Sequence, residues 1–249
     1  MKLTIAIPAH NEEAWIGRTL ASVTREARRY GSEAEVLVVD NASTDRTAEI
    51  ACCFPGVRVV REPVKGLSAA RQASYLAARG ELILNVDADV LIPAGYLERI
   101  VRAFDRNPRL VLLSGPYLYY DLSQATQILS MVFYAVGIAW GALAQHLLHI
   151  GAIAQGGNFA VRRGALARIG GYNASIEFYG EDSDLAKRLA RIGLVRFDMR
   201  YMVKTSGRRL ASEGVLRTGF RYAMNNLSVP LYGRPLHRRH CDIRTPARP

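Results

Sequence analysis

Glu81-Leu82-Ile83-Leu84-Asn85-Val86-Asp87-Ala88-Asp89 is the stretch on which the fold turns. Its apolar run, 81–86, has the length and composition of a buried β-strand, and it ends on two carboxylates one residue apart. A strand apolar on both faces belongs inside a parallel sheet covered by helices. Open α/β sheets bind their ligands at the carboxyl ends of such strands. Two anionic oxygens placed there suit a hard cation, Mg²⁺ or Mn²⁺, bridging a diphosphate. Taken alone the pattern is common, and a solvated strand-end turn has the same letters.

The rhythm of strand and helix extends outward on both sides. Alternating Leu3, Ile5 and Ile7 predict a strand over 2–9. Trp15, Ile16, Leu20, Val23 and Ala27 have helical spacing and predict a helix over 12–30 that stops near Gly31. A second strand is expected over 35–40, then a helix capped by Thr44 or Asp45 and running to about Phe54. A third strand covers 57–61, and a helix over 67–79 ends at Gly80. Beyond Asp89, a helix opens at Pro93 and a strand follows over 110–115. This alternation predicts an α/β fold with a mainly parallel, Rossmann-like sheet flanked by helices. No Gly-x-Gly-x-x-Gly follows the first strand and no Gly-x-x-x-x-Gly-Lys-Ser/Thr occurs, which disfavours dinucleotide-binding dehydrogenases and P-loop NTPases.

The chain has 249 residues and a net charge of +11, enough for one large domain or two closely packed lobes. The charge is uneven. From Lys204 to Pro249 ten Lys and Arg stand against Glu213 and Asp242, so an anionic partner is expected: a phosphate-bearing substrate, an anionic membrane surface or nucleic acid. Nucleic acid is the weakest of these, because aromatic residues are not interleaved with the basic ones. Three cysteines without Cys-x-x-Cys spacing speak against zinc, and Cys52 and Cys53 are expected as small core residues of a helix. With no disulfide framework, and with Met1-Lys2-Leu3-Thr4 running straight into a strand, a cytoplasmic location is expected, with the inner face of the membrane as the alternative.

Three segments lie in register at strand ends: Ile5-Ala6-Ile7-Pro8-Ala9-His10-Asn11-Glu12-Glu13, then Val38-Val39-Asp40-Asn41-Ala42-Ser43-Thr44-Asp45, then Asp87-Ala88-Asp89. In order and spacing they resemble the family 2 glycosyltransferases of the GT-A fold, over roughly residues 1–225. The resemblance implies a nucleotide diphosphate sugar (UDP-, GDP- or dTDP-linked) as donor. Pro8, Ala9, Glu12 and Asp40 then line the nucleoside pocket. Asp89 is the direct metal ligand, and Asp87 faces the ribose or the metal's water shell. Lys65 and Arg71, at the start of the third helix, are placed to meet phosphate. The segment Phe178-Tyr179-Gly180-Glu181-Asp182-Ser183-Asp184 is similar to the family's acceptor-side motif. Sugar transfer with inversion needs a base opposite the leaving diphosphate, which assigns Asp182 as base and Glu181 to acceptor positioning or to orienting Asp182. Asp184 is expected to be structural. Thr205-Ser206-Gly207-Arg208-Arg209 resembles the place where the family returns a basic or metal-binding residue to the diphosphate. The processive synthases' Gln-x-x-Arg-Trp pattern is missing, which favours single additions.

The expected division is a donor half over 1–115, an acceptor half over 116–225, and a basic tail over 226–249, whose His237 and His240 are read as part of a basic, poorly ordered tail ahead of the alternative of a third metal ligand. The acceptor half contains an apolar helical segment, 122–161, without a single charged residue. Its stretch 128–153 is long enough to span a bilayer and carries Gly137-x-x-x-Gly141. Asp89 precedes it and Asp182 follows it, so a single crossing would divide the site. A core helix, an interfacial helix, a re-entrant hairpin and a homodimer contact remain open. The enzyme rival is a sugar-phosphate nucleotidylyltransferase, which would need a Gly-rich loop where Pro8-Ala9-His10-Asn11-Glu12 stands. A nucleotide-sugar-binding protein without activity is the other.

Overall fold

The computed structural model describes residues 1–148, 154–176 and 180–214, together with 218, 219 and 224, and for 138–148 the backbone alone. Phe178-Tyr179, the end of the 128–153 stretch and the 226–249 tail with His237 and His240 lie outside the described residues.

Nine strands and eight helices follow in order along the described chain. The first part of the chain runs β1 (Leu3–Ala9), α1 (Ile16–Tyr30), β2 (Ala34–Asn41), α2 (Thr47–Cys52), β3 (Val57–Glu62), α3 (Leu67–Ala77), β4 (Leu82–Val86) and α4 (Tyr96–Arg106). Then come β5 (Leu110–Ser114), β6 (Tyr117–Tyr119), α5 (Gln124–Leu148), β7 (Asn158–Arg162), α6 (Arg163–Arg168), α7 (Glu181–Ala190), β8 (Leu194–Phe197), β9 (Val203–Thr205) and α8 (Arg208–Glu213). The main sheet has the order β3-β2-β1-β4-β7-β5-β8. All its pairings are parallel except those of β7, which is antiparallel to β4 and to β5. One sheet thus takes strands from both halves of the chain.

Successive strand residues point to opposite faces, and both faces are covered. Leu3, Ile5, Ile7, Val36, Val38, Leu82 and Leu84 pack with Ile16, Leu20, Val23, Leu97, Ile100 and Phe104 of α1 and α4. Ile83, Leu112, Phe159 and Val161 pack on the other face with Leu166, Leu185 and Leu189 of α6 and α7. This double coverage is why β1, β2 and β4 read as continuous apolar runs.

Several boundaries differ from expectation. Helix α1 opens at Ile16, because Glu12 is held in the preceding turn: its N–H donates to Thr47 Oγ1 at 2.7 Å. Pro93 lies in the turn before α4, whose first residue is Tyr96. The segment 122–161 is not helical throughout, since its end forms β7, a central strand. Cys52 and Cys53 are exposed rather than in the core. Helix α2 has only six residues and turns Thr47 and Ala51 inward. Among the described residues, no helix is long and apolar enough to cross a membrane.

Candidate active site

The carboxyl ends of β1, β2 and β4 meet along one edge of the sheet. Their loops are tied down by side chains. His10 Nδ1 lies 2.7 Å from the Asn41 carbonyl oxygen, and Asn11 Oδ1 accepts from the Thr44 N–H at 2.8 Å. Asn41 donates to the carbonyls of Glu62 and Val64 and accepts from the Gly66 N–H. Pro8 and Ala9 end β1 and are buried. Asp40 ends β2, is 5% exposed, and has a buried Oδ1 with no hydrogen-bond partner among the described residues. Lys65 is exposed beside the start of α3.

Asp87 and Asp89 diverge. Asp87 is the more open; its Oδ2 accepts from Tyr117 Oη at 3.0 Å. Asp89 is more enclosed, and its Oδ1 accepts from Thr205 Oγ1 at 3.1 Å. Arg208 Nη2 lies 3.2 Å from the Asp89 Oδ2 and 2.7 Å from each oxygen of Glu12. Burial, with Asp87 and Glu12 nearby, pushes the Asp89 carboxyl up to about 6 although Arg208 opposes the shift. The short sheet β6-β9 presents both Tyr117 and Thr205, and a Leu91–Lys204 bridge holds it beside the Asp89 turn.

The acceptor-side acids reach the same place from the far end of the chain. Gly180, with φ of 86°, turns the backbone into α7, so that Glu181 and Asp182 stand in its first turn. Glu181 is ion-paired with Arg71. Arg71 is 1% exposed and also donates to the Gly156 carbonyl at 2.6 Å, stacks its guanidinium over Phe159, and approaches Asp87 Oδ1 at 3.8 Å. It was expected at the phosphates; it lies beneath the site and joins its two acidic sets. Asp182 Oδ1 accepts from the Ser183 N–H at 2.8 Å. Asp184 pairs with Arg188 at 2.7 Å.

Gly156 and Gly157 are wedged between these sets. A Cβ on Gly157 would overlap the Asp87 carboxylate and the Tyr117 hydroxyl, and one on Gly156 would press on Arg71 and Glu181. Tyr117 had no place in the motif reading, and Thr205 and the glycine pair stood in the motif segments without a role of their own. Tyr117 carries no local signal, whereas Arg208 was flagged by the basic doublet after the last strand.

Asp87 and Asp89 offer hard oxygen donors, and the described residues hold no third His, Cys, Asp or Glu grouped with them. That fits a Mg²⁺ or Mn²⁺ ion which takes one or two carboxylates and completes its shell with phosphate and water.

Solved structures with this architecture define the class as the GT-A fold. A mannosyltransferase from Pyrobaculum calidifontis in complex with GDP-Man and Mn²⁺ superposes with a TM-score of 0.67 at 22% identity, covering 91% of this chain and 61% of that one. A glucosyl-3-phosphoglycerate synthase from Mycobacterium tuberculosis, in complex with Mn²⁺, UDP and phosphoglyceric acid, gives 0.63 at 20% identity, covering 92% and 78%. The chain belongs to glycosyltransferase family 2, described as "Glycosyl transferase family 2", whose model matches residues 4–170. An uncharacterised glycosyltransferase of Mycobacterium tuberculosis is 37% identical over 109 residues, 44% of this chain and 46% of that protein. The undecaprenyl-phosphate 4-deoxy-4-formamido-L-arabinose transferase of Edwardsiella ictaluri is 31% identical over 110 residues, 42% of this chain and 34% of that protein. These matches span less than half the length of those curated relatives.

Burial pushes the Glu181 carboxyl from 4.5 up to about 7 against the pull of Arg71. The folded protein therefore holds this proton more tightly than the unfolded chain. The resulting stability is complete below about pH 4.5 and is lost as pH rises through about 7. Chemical denaturation across that window should show Glu181→Gln losing less stability with rising pH than wild type. Identical slopes would overturn the assignment.

Proposed function

We propose that the protein transfers a single sugar, with inversion, from a nucleotide diphosphate sugar to an acceptor at or near a membrane. One observation carries this reading. Two acidic sets nearly a hundred residues apart, Asp87/Asp89 and Glu181/Asp182, converge across Gly156-Gly157 and share the buried Arg71.

The residues divide the work. Asp40, with its unpartnered buried Oδ1, accepts from the base, and Pro8, Ala9 and Glu12 close the nucleoside pocket. Lys65, exposed just before α3, is assigned to the phosphates. Asp89, with Asp87, holds Mg²⁺ or Mn²⁺, which when bound neutralises charge on the leaving diphosphate. Asp87 is anchored by Tyr117 and held toward the ribose. Asp182 takes the proton of the acceptor hydroxyl, and burial raises its carboxyl above the usual range, which suits a base. Glu181, paired with Arg71, positions the acceptor or orients Asp182.

Helix α5 supplies the membrane side. Ile128, Leu129, Val132, Phe133 and Val136 are exposed at spacings that put them on one helical face. An apolar stripe on a chain of charge +11 suits an interfacial helix on anionic lipid. The similarity to an undecaprenyl-phosphate transferase supports a lipid-linked acceptor.

A thermal-shift screen of UDP, GDP and dTDP with and without Mn²⁺ should single out one nucleotide and show a larger shift with metal. Stabilisation by none of them would sink the donor assignment. In Asp182→Asn, kcat should fall about 10²–10⁴-fold with nucleotide affinity unchanged. A phosphate acceptor arrives deprotonated, so full turnover by this variant would show that no base is used. The protein should co-sediment with anionic vesicles, and Val132→Asp/Phe133→Asp should release it while leaving nucleotide binding intact. A wild-type protein that ignores vesicles would overturn the membrane role.

A further inference from the structure

Arg208 stands at the first position of α8, where its single Nη2 serves both oxygens of Glu12 and the Oδ2 of Asp89. Its guanidinium also packs over the Trp15 ring, 5.5 Å from the centroid. It therefore joins the loop after β1 to the turn after β4, the two elements that frame the donor pocket. The placement is built into the fold. Asp121 accepts from the Ser206 hydroxyl at 2.5 Å and from the Gly207 N–H at 2.6 Å, and Thr205 anchors to the other oxygen of Asp89. The segment carrying Arg208 is thus pinned on both sides of the acid it neutralises.

A guanidinium ion-paired with an oxygen of Asp89 at 3.2 Å competes with any divalent cation for that carboxylate, and the two positive charges repel at such range. A diphosphate changes the balance, because its oxygens offer the guanidinium a better partner. We propose that Arg208 is the resident counter-cation of the donor site. Without donor it clamps Glu12 to Asp89 and keeps divalent metal weakly bound. When a nucleotide diphosphate arrives the guanidinium leaves Asp89 for the phosphates, so metal and nucleotide enter together. This inference rests on the donor-site reading above.

The test measures Mn²⁺ binding to the full chain without donor, from the free-Mn²⁺ electron paramagnetic resonance signal. Arg208→Gln should bind Mn²⁺ at least tenfold more tightly than wild type. Adding the nucleotide diphosphate chosen by the thermal-shift screen should raise Mn²⁺ affinity more in wild type than in the variant, since the two ligands are thermodynamically linked. Arg208→Lys keeps the charge on a shorter side chain without the guanidinium face that packs over Trp15, so it holds Asp89 less firmly and should tighten Mn²⁺ binding at least threefold; it carries the test if the Gln variant fails to fold. Equal or weaker Mn²⁺ binding in the folded variants overturns the proposal while leaving the donor site standing. Nucleotide bound with no Mn²⁺ uptake in any form removes the metal reading, and the proposal with it. Neither ligand bound removes the donor-site reading itself.

Discussion

A guanidinium that is 1% exposed cannot be left without compensation, and the architecture around Arg71 is arranged to supply it. Glu181 provides the counter-charge as it ionises near pH 7, the Gly156 carbonyl a further acceptor, and Phe159 a face to stack on. Removing one partner of such a pair costs about 3–5 kcal/mol, because the other charge stays buried. The contact joins α3, from the first part of the chain, to α7 and the approach to β7. With it in place, the distance between the two acidic sets is a property of the core rather than of surface loops.

The reversed strand β7 supplies the other half of the geometry. Asn158 opens it. Its side chain donates to the carbonyls of Gly115 and Tyr201 and accepts from Tyr96 Oη at 2.5 Å. Its own carbonyl accepts from Ser114. So one residue fixes β5, α4 and the turn before β9 together. Gly157 and Gly156 precede it directly, and only their lack of side chains lets the backbone lie against Asp87 and Arg71. The site is assembled where strands of opposite direction meet.

Much of this was legible in the letters. The strands β1, β2 and β4 announce themselves by apolar runs ending in Glu12, Asp40 and Asp87/Asp89, and the acid pair opening α7 stands out beside Gly180. What stayed hidden has physical causes. The strand β7 lies at the end of an uncharged stretch whose composition suits a helix as well as a strand. The strands β6 and β8 have three and four residues, too short for periodicity to show. Arg71 looks like any arginine near a helix start, and only the fold turns it inward. Tyr117 meets Asp87 through a two-stranded sheet whose partner strand comes more than eighty residues later.

The chain leaves the sheet after β5 and re-enters it at β7, the neighbouring strand, with α5 in between. The two ends of this excursion are stitched together where Gln155 N–H donates to Ser114 Oγ at 2.8 Å. The span between them can lengthen or shorten at little thermodynamic penalty, since each doubling of a closed loop costs only about 0.6 kcal/mol. The loops after β1 and β2 have no such freedom, because they are cross-linked through His10, Asn11 and Asn41. The sheet can therefore accommodate an α5 excursion of another length while the cross-linked loops after β1 and β2 stay as they are.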